Sequence, residues 1–261
     1  TKIVLEKQPN VPLEASENAA ARKLVTLDDE LVRDVAAMST DASTFARCRP
    51  FYSEALCQEV RTGYMPSSGK STLRGKWTYC VSDEQGQPLA WVGRNLKYEK
   101  EYEAWLAAGR GGEEPAKYRF PSVKLFRRGL ELYGQEWLRD ERFAKSLHEH
   151  GLIVVEGFND RLRLHALNVA SIALMSNRAT DEQIVKLIGF ARQYANCRVG
   201  IMLDTDTKGD EGAKELLWKL HEADLDAYLV WSRNKHGGAF KDREPEVLTN
   251  SQWEQLVGKG I

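Results

Sequence analysis

Two short runs hold the residues best suited to chemistry. Leu152-Ile153-Val154-Val155-Glu156-Gly157-Phe158-Asn159-Asp160 and, further along, Gly200-Ile201-Met202-Leu203-Asp204-Thr205-Asp206 each read as an apolar strand that ends in carboxylates. Buried strands deliver their terminal side chains to one edge of a parallel sheet, where ligands bind. Carboxylates gathered at that edge repel one another unless a divalent cation neutralises them. Glu156, Asp160, Asp204 and Asp206 therefore point to a magnesium (or manganese) site, and such sites handle phosphates. Asp160 lies one helical turn beyond the strand end, on the same edge. Asp204 and Asp206, two residues apart, share a face. Gly209 and Gly212 open a helix and leave room for a phosphate near its N-terminus. Taken singly, Asp204 or Asp206 reads more simply as a solvated strand-end acid or helix cap. The combination favours the metal site.

The elements that must position these residues alternate in the second half. Strands at 152–155, 169–174, 198–203 and 227–231 alternate with helices at 159–167, 181–194 and 209–223. That order predicts a Rossmann-like parallel sheet with helices on both faces. The first half reads as α+β. Helices are expected from Thr26-Leu27-Asp28-Asp29-Glu30 onward, at 51–60, 98–108 and 135–150, with a hairpin of strands at 76–81 and 89–93. The expected division is an extended arm over 1–25, a basic N-terminal subdomain over 26–150, and an α/β domain over 151–261 with a C-terminal extension of the metal site.

Composition excludes several classes. The 261 residues carry a formal net charge of −1, spread evenly between the halves, so a polyanion site must be a local patch. Cys48, Cys57, Cys80 and Cys197 form no Cys-x-x-Cys pair, which argues against a zinc ribbon. Scattered cysteines without a signal-peptide pattern fit a reducing cytoplasm. No apolar run approaches the ~20 residues needed to cross a bilayer. The chain begins at Thr1 rather than Met, which leaves room for sequence upstream.

Lys117, Arg119, Lys124, Arg127 and Arg128 form a basic stretch without an acid, interleaved with Tyr118, Phe120 and Phe126. Cations that track phosphates and rings that stack on bases suit single-stranded nucleic acid. An amphipathic surface segment with core aromatics fits the same pattern equally well. Lys208, beside the Asp-x-Asp, is a candidate triphosphate contact or a solvated lysine. Three features read as decoys. Ser68-Gly69-Lys70-Ser71 lacks the preceding glycine and strand of a P-loop. His148 and His150 at a helix end suit the helix dipole better than a metal. The tryptophans are scattered and read as packing residues.

The run Val155-Glu156-Gly157-Phe158-Asn159-Asp160, with Leu203-Asp204-Thr205-Asp206-Thr207-Lys208-Gly209, resembles the Toprim domain shared by DnaG-type primases, topoisomerases and some nucleases. Glu-Gly-aromatic-x-Asp followed by Asp-x-Asp-x-x-Gly looks most like the primase branch. Gly63-Tyr64, Arg74 to Asp83, Gly86, Val92-Gly93-Arg94, Lys117-Tyr118-Arg119-Phe120-Pro121 and Leu130 to Gly134 resemble the amino-terminal part of the primase polymerase core, in the same order. The resemblance covers about residues 45–235. It implies that Glu156, Asp204 and Asp206 bind catalytic divalent metals and that Asp160 belongs to the same cluster. It also implies that Arg94, Lys117 and their basic surroundings hold template or nucleotide.

Departures from the family are specific. The stretch 96–116 is longer than the usual link. Arg119-Phe120-Pro121 stands where the family has Asn-Ser-Pro. The outer Asp-Pro-Asp is matched only loosely by Lys241-Asp242-Arg243-Glu244-Pro245, with Asp242 as the expected outer metal ligand. The family's zinc module and helicase or helicase-binding region have no counterpart within these residues. A divergent primase core, of a kind carried by phages or plasmids, is the expectation. It would transfer nucleotides from NTPs onto a primer along a single-stranded DNA template, with a replicative helicase as a candidate partner. Alternatives are a Toprim metal-dependent nuclease and a catalytically silent nucleic-acid-binding module.

Overall fold

The computed structural model describes residues 27–258. The expected arm over 1–25 lies outside them. Two four-stranded sheets organise the described residues. The first is antiparallel in the order β1-β2-β3-β4, with β1 Thr62–Tyr64, β2 Trp77–Ser82, β3 Pro88–Arg94 and β4 Tyr118–Arg119. The second is parallel in the order β6-β5-β7-β8, with β5 Leu152–Val155, β6 Ser171–Ala173, β7 Arg198–Ile201 and β8 Asp226–Leu229. The α/β class and the parallel sheet with both faces covered are as the strand–helix alternation predicts.

Four consecutive apolar residues make β5, and all four are buried because each sheet face meets its own core. Ile153 and Val155 belong to one apolar cluster, Leu152 and Val154 to the other. Helices α6 (Asp181–Tyr194) and α7 (Thr207–Glu222) cover the second face through Leu187, Phe190, Leu216 and Leu220. Helix α5 (Phe158–Ala166) covers the first face, and its cluster runs on into Trp77, Tyr79 and Val92 of the antiparallel sheet. One core therefore spans both sheets. Phe158 stacks on Tyr79 at 4.5 Å between ring centroids, and Tyr133 makes an isolated bridge to Ala173 at the edge of the parallel sheet.

Helices α1 (Thr40–Arg47), α2 (Glu54–Glu59), α3 (Tyr98–Ala107), α4 (Ala144–His150) and α8 (Asn250–Gly258) complete the fold. Two expectations fail locally. The helix expected from Thr26 onward is two 3-10 turns, Asp28–Glu30 and Val35–Ala37, because Val32 between them is drawn into a bridge with Tyr64. The helix expected over 135–150 is interrupted at Asp140, whose extended backbone and side-chain cap start a new turn. Among the described residues no helix is long and apolar enough to cross a membrane, and all four cysteines are free.

Candidate active site

Strand order explains why the two acid runs meet. β5 and β7 are hydrogen-bonded neighbours, with Val154 opposite Ile201. From them the chain leaves in opposite directions, to β6 and to β8. This is a topological switch point, where the carboxyl ends of adjacent strands open a crevice. Glu156 follows β5, and Asp204 follows the buried Met202-Leu203 beyond β7. The Asp204 N–H donates to Glu156 Oε1 at 3.3 Å. A Cβ on Gly209 would sit 2.1 Å from the Asp204 carbonyl oxygen and 2.6 Å from Glu156 Oε1, so only glycine fits between the two turns.

A cavity of about 170 Å³ lies at this edge. Its lining includes Glu156, Asp160, Asp204, Glu244, Glu246, Arg94, Lys117, Tyr118 and Asn159. Burial, and then neighbouring carboxylates, push the carboxyls of Glu156, Asp160 and Asp204 well above the usual range. For Asp160 those neighbours are Glu246 and Glu244; for Asp204 they are Asp160, Glu156 and Glu244.

Each acid has a different share of its oxygens committed. Asp160 Oδ2 accepts the Gly157 N–H at 2.9 Å and its Oδ1 accepts the Glu246 N–H at 3.0 Å. Glu246 itself is paired with Arg49 at 2.7 Å. Asp204 Oδ1 is buried without a partner. The set fits a hard divalent cation: oxygen donors, excess negative charge and a buried carboxylate oxygen that nothing satisfies. Glu156, Asp204 and Glu244 are the residues with capacity to hold it. Among the described residues no three His, Cys, Asp or Glu side chains already converge as a preformed cage; the acids line one cavity rather than one coordination shell.

Glu244 and Glu246 escaped the sequence reading, which expected Asp242. Asp242 is exposed, pairs with Arg233 at 3.5 Å, and does not line the cavity. The cause lies in Thr205, the residue between the two aspartates. Its N–H donates to the Arg243 carbonyl at 3.0 Å, its buried hydroxyl donates to the Phe240 carbonyl, and the same hydroxyl accepts the Arg243 N–H at 2.8 Å. This staple sets the register of the 240–246 segment and turns Glu244 inward. Asp206 is exposed and caps α7 by accepting the Gly209 N–H at 2.8 Å. It is outside the cavity lining, yet near enough to raise the Glu156 carboxyl. Lys208 is exposed in the first turn of α7 and also outside the lining.

The expected cations divide into two groups. Arg94, at the end of β3, and Lys117 line the cavity. The Arg94 guanidinium is buried, pairs with Glu99 and lies 5.2 Å from the Tyr118 ring centre. Arg119, Lys124, Arg127 and Arg128 are exposed, and Arg119 lines a separate cleft with Thr72, Arg74 and Lys76. The interleaved aromatics are not free to stack on bases. Tyr118 and Phe120 pack on Phe158 at 5.3 and 6.3 Å, and Phe126 is 3% exposed. The aromatics serve the core, and the cations alone face solvent.

Two uncharged polar side chains, Asn159 and Ser176, also line the cavity. Asn159, 3% exposed, accepts hydrogen bonds at Oδ1 from both Tyr52 and Tyr79, each at 2.7 Å.

Comparison with known proteins agrees with this geometry. A family model described as Toprim-like matches residues 153–242. A DNA primase of Clostridium acetobutylicum is 24% identical over 158 residues, covering 60% of this chain and 23% of its own length. The zinc-binding and RNA polymerase domains of the Aquifex aeolicus primase superpose with a TM-score of 0.63 at 17% identity, over 89% of this chain and 59% of that one. A DnaG primase catalytic domain bound to single-stranded DNA gives a TM-score of 0.60 at 17% identity, over 89% and 76%. The chain thus spans less than a quarter of the curated relative's length, but nearly all of it has the primase-core fold. The fold is that of DnaG primase catalytic cores, and the Toprim-like match over residues 153–242 carries the switch point and its acids.

Proposed function

We propose that this chain synthesises primers, joining nucleotides from NTPs along a single-stranded DNA template. The observation that carries the reading is the cavity itself, which Glu156, Asp204 and Glu244 line together with Arg94 and Lys117. Magnesium or manganese held by the three acids would supply charge neutralisation, acidifying the attacking hydroxyl and stabilising the pyrophosphate that leaves. Arg94 and Lys117 draw the polyphosphate into the cavity. Asp160 keeps α5 and the 244–246 segment at their places through its two backbone N–H bonds. The exposed Arg119, Lys124, Arg127 and Arg128 follow the template phosphates. In this reading residues 26–150 hold the template and 151–261 hold the metal, Asp206 and Lys208 contact the triphosphate from the mouth, and the protein works in the cytoplasm beside a replicative helicase. The structural likeness to a primase domain bound to single-stranded DNA supports the choice of template.

The test is incubation with single-stranded DNA, labelled ribonucleotides and magnesium or manganese. Short new products that vanish in Asp204→Ala are expected. Shortened input DNA without synthesis would replace the primase reading with a Toprim nuclease, and binding without either product would leave a silent module.

A further inference from the structure

Asn159 occupies the second position of α5, directly between the cavity acids Glu156 and Asp160 in sequence, and it lines the same cavity. A carboxamide has one acceptor atom with two lone pairs and one donor atom with two hydrogens. Tyr52 and Tyr79 fill both lone pairs of Oδ1. Both phenols are fully enclosed, and burial pushes them far above the usual tyrosine range, so they stay protonated and donate. The two phenols also hydrogen-bond to each other, so at least one of their hydrogens is left over and must be taken by Oδ1. The orientation of the amide is therefore fixed from behind, and the group left for the cavity is Nδ2, which donates to no described residue. A neutral donor has no reason to be locked toward a ring of carboxylates that all stand beyond hydrogen-bond reach of it. It has a reason if a further oxygen enters the cavity.

We propose that Asn159 is a substrate-binding residue whose Nδ2, held by the Tyr52–Tyr79 pair, donates to a phosphate oxygen of the nucleotide bound among Glu156, Asp204, Arg94 and Lys117. The assignment rests on the nucleotide-binding reading of this cavity. A phosphate is the occupant of choice because the acids and the two cations already demand a ligand that carries anionic oxygens and shares a cation with carboxylates. Tyr52 and Tyr79 are then positioning residues: they touch no substrate and act by denying the amide its flipped state.

The experiment measures, on the full chain, the binding of Mg²⁺ alone and of Mg²⁺ with a non-hydrolysable nucleoside triphosphate, together with the melting temperature. Asn159→Asp keeps an acceptor for both tyrosines and replaces the donor with a negative oxygen. It is expected to melt somewhat below the wild type without metal and to recover with Mg²⁺, to bind Mg²⁺ as well or better, and to lose roughly tenfold or more in nucleotide affinity. The double variant Tyr52→Phe/Tyr79→Phe frees the amide and is expected to lose nucleotide affinity several-fold, with Mg²⁺ binding unchanged. Equal nucleotide affinity in wild type and Asn159→Asp overturns the assignment alone, as does a loss matched by an equal loss of Mg²⁺ binding. A wild-type chain that binds Mg²⁺ but no nucleotide overturns the assignment and the function together.

Discussion

After β5, Glu156 faces the cavity while Asp160 folds back to accept the Gly157 N–H; after β7, Asp204 faces the cavity while Asp206 accepts the Gly209 N–H. The two turns share a local design: a strand-end acid for the ligand, then an aspartate that closes the first turn of the next helix. Their surroundings differ. The 244–246 segment lies over Asp160, buries it and gives it a second N–H, whereas Asp206 is left in solvent. Two capping bonds, one in which Asp160 accepts the Gly157 N–H behind it and one in which Asp206 accepts the Gly209 N–H ahead of it, thus yield a buried structural acid in one turn and an exposed cap in the other. What decides between them is a segment 86 residues away in sequence.

Four measurements would break or sharpen that comparison. The cavity acids should matter most: Asp204→Asn and Glu156→Gln are each expected to lower primer synthesis by about 10²–10³-fold or more, while Asp242→Ala stays near wild type. Among the capping aspartates the asymmetry should appear in stability. Asp160→Ala strands two backbone N–H groups and is expected to cost about 2–4 kcal/mol in urea unfolding. Asp206→Ala removes one exposed cap and should cost about 1 kcal/mol. Equal costs would mean that the overlying segment adds nothing.

Thr205→Val tests the staple directly. It should reduce activity roughly tenfold by loosening Glu244, with a stability loss of about 1–2 kcal/mol. An activity loss no larger than that of Asp242→Ala would deny Glu244 its place. The smallest effect concerns pH. Glu156, Asp160 and Asp204 are harder to ionise folded than unfolded, so the folded state holds more protons. Without metal, their contribution is best below the ordinary carboxyl range and is lost as pH rises from about 4 through their raised values. Mg²⁺ should therefore raise the melting temperature by a few degrees more at pH 8 than at pH 5. That difference should shrink in Asp204→Asn and persist in Asp206→Asn.

The parts of this molecule that could be read in advance are those whose cause is local. Helix α6 falls where the sequence predicts it because Thr180 and Gln183 form a reciprocal capping box at 3.1 Å. β5 was legible because four apolar residues precede an acid. The helix expected from Thr26 was misplaced because a distant partner intervened, as Tyr64 does for Val32, whereas the break at Asp140 is a local cap that the apolar spacing hid. The site follows the same division. Glu156, Asp160 and Asp204 announce themselves at strand ends. Glu244 does not, since it is turned inward by the bonds that Thr205 makes across 35 to 38 residues. The aromatics of 118–126 carried an ambiguous pattern, and the core claimed them.

The Thr205 staple has a consequence for how this site tolerates change. Helix α7, strand β8 and the turn beyond them form an excursion whose two ends are clasped at Thr205 and Arg243. A clasp of that kind makes the position of Glu244 independent of the path length between, because lengthening a closed loop adds little entropy cost. Residues could be inserted at the far tip of the excursion without moving the acids. Related chains would then keep the cavity while the spacing from the Asp-x-Asp to the outer glutamate drifts, and they would be recognised by the threonine at the hinge rather than by any fixed count of residues.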